Sequence, residues 1–151
     1  MLSETELDLN EGESTRTIRH ILAHLNNMER NCWLQNIEII FNGEDNETFF
    51  GLSDSQSKEL LDWKGEDLIQ TFKNQRFMNL SALKEFNIEK KHLTKLTTYP
   101  TLGKITLKEA LSTWITHDLD QVYQILRCLC YQSRLDVGPL KKYLEILSQN
   151  Y

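Results

Sequence analysis

A chain of 151 residues with 40% hydrophobic and 26% charged side chains has the make-up of one globular domain, long enough to bury a core without a disulfide or structural metal. Its 6 glycines and 2 prolines leave few turn signals, which favours helices and excludes most all-β folds. A net charge of −5 without a basic stripe argues against a nucleic-acid partner, and no run resembles a signal peptide or membrane span, so the cytoplasm is the expected location.

The opening "MLSETELDLNEGES", residues 1–14, reads as a loose leader to a single domain spanning 1–151. Thr17 is then a plausible N-cap for an amphipathic helix carrying Ile18, Ile21, Leu22, Leu25, Met28 and Cys32. This helix should fade near Ile40 and Phe41, where "NGEDNE" clusters helix-breaking residues, with a loop and a short turn through "SQSKELLDW" after it. A second long helix is predicted after Gly65, weakly capped, turning Leu68, Ile69, Phe72, Leu80 and Leu83 inward and ending near Asn87. A charged turn or two should cover Ile88 to Leu96, and "TTYPTLGK" is expected to be loop because Pro100 and Gly103 interrupt regular structure.

The clearest start signal is Thr106 with Glu109 three residues on, a capping box ahead of an apolar run. The helix it opens should be the longest, running to about Arg134 and spanning roughly 40 Å. "DVGPL" breaks it, and Pro139 suits the first turn of a last short helix through Lys141 and Leu147. The expected architecture is all-α, with three long helices plus short helical segments.

At 100° per residue, Leu111, Ile115, Val122, Ile125, Leu126 and Leu129 form one stripe on that helix, the predicted core face. His117, Gln121, Gln124 and Cys128 make a polar row on its shoulder, across Trp114. On the first helix His24 and His20 occupy a similar flank. Imidazoles from facing helices can assemble a three-ligand metal site. His20 with His24, one turn apart, is a rival pair, and shoulder polar residues merely hydrogen-bonded at the core's edge are the bland alternative. Cys32, Cys128 and Cys130 lack metal-finger spacing and read as reduced, buried thiols. Asp118 reads as solvated, Arg76 and Asn79 as an exposed helix face, and Trp33, Trp63 and Trp114 as core or interface aromatics.

Three stretches, "ILAHL", "TLGKITLKEALSTWITHDLDQVYQI" and "VGPLKKYLEIL", in this order and at these separations, resemble the DinB-like superfamily from about Leu2 to Leu147. The resemblance implies a four-helix bundle, often dimeric, whose characterised members include metal-dependent S-transferases using bacillithiol, mycothiol or glutathione, and a thiol-dependent isomerase. It places the usual metal-binding triad on His24, His117 and Gln121, the last a departure from histidine. A neutral amide oxygen is a poorer donor than imidazole for zinc or nickel, the metals most expected here. Gln121 would then ligate weakly, His20 would swing in as a substitute ligand, or the metal would be lost. By this resemblance the family's first helix is missing, which would leave a groove for the last segment or a second subunit to cover, so a homodimer is expected. Two functions follow. One is a metal-dependent enzyme joining a low-molecular-weight thiol to a small-molecule electrophile. The other is a non-catalytic bundle that serves binding or dimerisation after losing its metal.

Overall fold

The computed structural model describes residues 2–43, 58–99 and 103–147. Most of "NGEDNE", the start of "SQSKELLDW" and the centre of "TTYPTLGK" lie outside them.

The expected loose leader is instead packed. Ser3 caps the one-turn helix α1 (Glu4–Leu7): its Oγ accepts from the Glu6 N–H at 3.2 Å while Glu6 Oε2 accepts from the Ser3 N–H at 2.7 Å. Leu7 is buried, and Arg19 ties the segment down through Glu4 and Asp8, both at 2.9 Å. Acidic residues that look disordered in isolation are therefore held by one basic residue of the next helix.

Helix α2 (Ile18–Asn31) begins where Thr17 accepts from the His20 N–H. From Ala23 to Glu29 every residue is buried, polar ones included, because α2 runs through the centre and meets α3, α4 and α5. The single helix expected from Ile18 to about Phe41 is broken at Cys32, whose φ of −132° and ψ of −65° start a separate α3 (Trp33–Asn42). No glycine or proline marks this break. Backbone bonding continues across it, with Cys32 N–H donating to Met28 O and Asn36 N–H to Cys32 O. The change of direction brings Trp33 into a stack with Trp114, ring centroids 6.0 Å apart.

Helix α4 (Gly65–Glu85) has no side-chain cap of its own, as its sequence suggested. Glu4 Oε1 fills the role from α1, accepting from the Gly65 N–H at 3.0 Å. Leu80, expected inside, is 45% exposed. After a 3₁₀ turn at Lys90–Thr94, the expected loop contains two antiparallel strands, β1 (Leu96–Tyr99) and β2 (Gly103–Thr106), with Leu96 opposite Thr106. Pairing turns this stretch into a hairpin despite its interrupting residues. Helix α5 (Leu107–Gln132) starts at the Thr106–Glu109 capping box. The final segment forms the expected short helical structure as two 3₁₀ helices, Gly138–Tyr143 and Glu145–Leu147, with Pro139 in the first turn.

The inward face of α5 matches the predicted one only in part: Leu111, Ile125 and Leu129 pack against the core. Its buried residues are Leu107, Ala110, Trp114, Gln121 and Cys128, while Ile115, Val122 and Leu126 of the predicted core stripe are exposed together with Leu119. Polar residues can face inward here because α2 and the N-terminal segment supply their partners. Trp33 and Trp114 join Met28, Ile37, Ile40 and Leu107 in the main core. Among the described residues no helix is long and apolar enough to cross a membrane.

Candidate functional site

Packing of α2 against α5 brings His24 and His117 together, Nε2 to Nε2 at 2.9 Å, with ring centroids 5.1 Å apart. Both rings are shielded. His24 is 8% exposed, and Trp33 sets its ring edge-on against His117 at 5.2 Å. One turn beyond His117, Gln121 is also buried. The three positions singled out by the resemblance therefore line one seam of the bundle. His20 stays on the exposed flank, its Nδ1 2.6 Å from Thr17 Oγ1.

The donor set does not fit a divalent metal. Imidazoles on tetrahedral zinc, with bonds of about 2.0–2.1 Å, lie roughly 3.3 Å apart. At 2.9 Å the two Nε2 atoms make a direct hydrogen bond, one protonated and the other accepting. The remaining donor is already committed: Gln121 Oε1 accepts from Arg16 Nη2 at 3.2 Å, and the same nitrogen donates to Gln124 Oε1 at 2.6 Å. Asp120 Oδ2 holds the other end of both amides, at 3.2 Å from Gln121 Nε2 and 2.7 Å from Gln124 Nε2. A guanidinium against the third donor brings a fixed positive charge where a second cation would be repelled. Metal-bound imidazoles also usually pass their other N–H to a carboxylate or carbonyl. His117 Nδ1 lies 3.7 Å from Asp118 Oδ1, beyond hydrogen-bond reach. Among the described residues no group of three or more His, Cys, Asp or Glu side chains is placed to hold a metal ion.

Asp118 is engaged elsewhere. Its Oδ2 accepts from Arg76 Nη2 at 2.6 Å, and Arg76 also reaches Glu29 Oε1 at 2.6 Å. The Glu29 side chain is fully buried and accepts further from Trp114 Nε1 at 2.8 Å and Asn79 Nδ2 at 3.0 Å. Arg76 and Asn79, expected on an exposed face, and Asp118, expected in solvent, thus belong to one internal network beside the histidine pair. Glu29 escaped notice because it sits next to Met28 in a run that looks like an ordinary surface turn. Arg16 was equally silent: it precedes the N-cap Thr17 and meets a partner 105 positions away.

Cys32 and Cys128 are poor nucleophiles. Burial pushes Cys32 up to about 12, and burial followed by the Glu11 charge also raises Cys128.

No protein-family model matches the chain, and no curated protein matches it. Among solved structures it is similar to YfiT from Bacillus subtilis, described as a probable metal-dependent hydrolase with an unusual four-helix bundle topology. That match has a TM-score of 0.70 at 15% identity, covering 84% of this chain and 73% of YfiT. The chain therefore has the DinB/YfiT-like helical-bundle fold, as its sequence motifs implied.

Proposed function

We propose that this protein is a self-associating DinB-type bundle in which the metal triad has been replaced by a hydrogen-bonded pair and a guanidinium–amide contact. The carrying observation is Arg16 Nη2 at 3.2 Å from Gln121 Oε1, which sets a guanidinium against the third position of the triad. Without a bound ion to lower the pKa of a low-molecular-weight thiol, these residues do not present a thiolate to an electrophile. The S-transferase reading retains one supporting observation, the convergence of His24 Nε2 and His117 Nε2.

Metal content of the untagged protein decides between them, measured after exposure to zinc and nickel for wild type, His117→Ala, Gln121→His and Gln121→His with Arg16→Met. Wild type is expected to bind zinc no better than His117→Ala, and the double variant to bind more tightly than Gln121→His alone. Near-stoichiometric zinc or nickel in the wild type, lost in His117→Ala, would restore the enzymatic reading.

Self-association draws support from the outer side of α5. Ile115, Leu119, Val122 and Leu126 are exposed and spaced four, three and four residues apart, the rhythm of a helix–helix seam. The Arg76–Asp118 bond links α4 to α5, and Phe77, next to Arg76 in sequence, is 74% exposed. Single chains seldom leave such an apolar row uncovered. A second copy is its proposed cover, and sedimentation across a concentration series tests it: one monomeric species throughout would refute it.

A further inference from the structure

A cavity of about 640 Å³ lies between the N-terminal segment, the C-terminal half of α5 and the closing 3₁₀ turns. Its volume falls in the range of small-molecule sites. In a chain whose net charge is −5, its wall carries four cationic side chains, Arg16, Arg127, Arg134 and Lys141, against two carboxylates, Glu11 and Asp120. The local charge is opposite to the global one. A concave surface of one sign concentrates counter-charged solutes.

The cations are not all neutralised internally. Glu11 grips Arg127, with Oε2 2.6 Å from Nη2 and 2.8 Å from Nε. Arg16 donates to neutral amide oxygens, and Arg134 lies flat over the Tyr131 ring at 3.9 Å while its Nη1 donates to Tyr131 O at 3.0 Å. Among the described residues no carboxylate pairs with Arg16, Arg134 or Lys141. Stacking and hydrogen bonding hold the two guanidinium forks in place before any ligand arrives, which reduces the ordering cost of binding. Ile21, Ile146 and Leu147 add an apolar wall.

We infer that this cavity binds a small organic molecule bearing two or more oxyanion groups, with Arg16, Arg134 and Lys141 receiving the oxyanions and the apolar wall receiving its carbon skeleton. Phosphate esters and polycarboxylates share this chemistry, since a guanidinium fork matches both. The inference goes beyond the proposed loss of metal and does not rest on it.

Calorimetric titration of the full chain at low ionic strength, with adenosine diphosphate, pyrophosphate and citrate as probes, tests the site. At least one probe should bind with submillimolar Kd. Affinity should fall about tenfold in both Arg134→Gln and Lys141→Gln, as expected for one charge-assisted hydrogen bond, and hold in Lys104→Gln on β2. Preference for the phosphate probes assigns phosphate esters, and preference for citrate assigns polycarboxylates. Lys141 is exposed, so its variant keeps the test valid should Arg134→Gln fail to fold. Binding of no probe, or an equal loss in Lys104→Gln, would overturn the inference.

Discussion

Along α5, the side that meets α2 carries His117, Asp118 and Gln121, whereas the side turned away carries Ile115, Leu119, Val122 and Leu126. An isolated surface helix is normally arranged the other way. On the inner side His117 bonds His24 of α2, Asp118 bonds Arg76 of α4 and Gln121 bonds Arg16 of the N-terminal segment, so each keeps a partner on burial, while His117 Nδ1 and Asp118 Oδ1 have no hydrogen-bond partner among the described residues. On the outer side the apolar groups have no such partner among the described residues. Hydrophobic periodicity reports that a helix has a greasy face. It does not say whether the face meets its own chain or another.

The contrast breaks most readily at Arg76. Arg76→Ala would leave Glu29, whose side chain is fully buried, without its cation, and is expected to cost about 3–5 kcal/mol in urea denaturation. A loss below about 1 kcal/mol would mean that the Asn79 and Trp114 hydrogen bonds suffice and that the inner face depends little on charge. On the outer face the reverse holds: Leu119→Glu should change the stability of the single chain by no more than about 0.5 kcal/mol. The same variant should shift sedimentation towards monomer, and equal sedimentation of variant and wild type would separate the apolar row from association.

Smaller effects sharpen the picture at the ends of the helices. Thr106→Ala removes the acceptor for the Glu109 N–H and should lower stability by about 1 kcal/mol, read as a drop in Tm. Cys32 offers a pH test. Burial raises its folded value from 9.0 to about 12, so the unfolded chain loses this proton first as pH rises. Its contribution to stability is complete below about 9 and is lost progressively towards 12. Cys32→Ala should flatten the denaturation midpoint over that window. An unchanged slope would show that other groups set the alkaline limit.

Much of the fold was legible because its signals are local. The Thr106–Glu109 box and the long apolar repeat after it specify α5 within a few residues, and Thr17 marks the start of α2. The break at Cys32 was not, since neither Gly nor Pro causes it and both helices keep their backbone bonds through it. The strand pairing was hidden because Pro100 and Gly103 make the segment read as loop. For the site, the family motif brought His24, His117 and Gln121 to one place. The residues that decide its chemistry, Arg16, Glu29 and Arg76, act through contacts across the bundle that spacing along one helix does not encode.

Gly65 links several of these features. A Cβ there would lie 2.2 Å from Leu7 Cδ1, at the point where Glu4 caps α4. Alanine would act as a wedge under the N-terminal segment while leaving the long helices their own contacts. Limited proteolysis of Gly65→Ala should release that segment early, and protection equal to wild type would show that Leu7 can repack. Arg16 lies between that segment and the Thr17 cap of α2, so loosening at Leu7 is expected to weaken its contacts with Gln121 and the cavity.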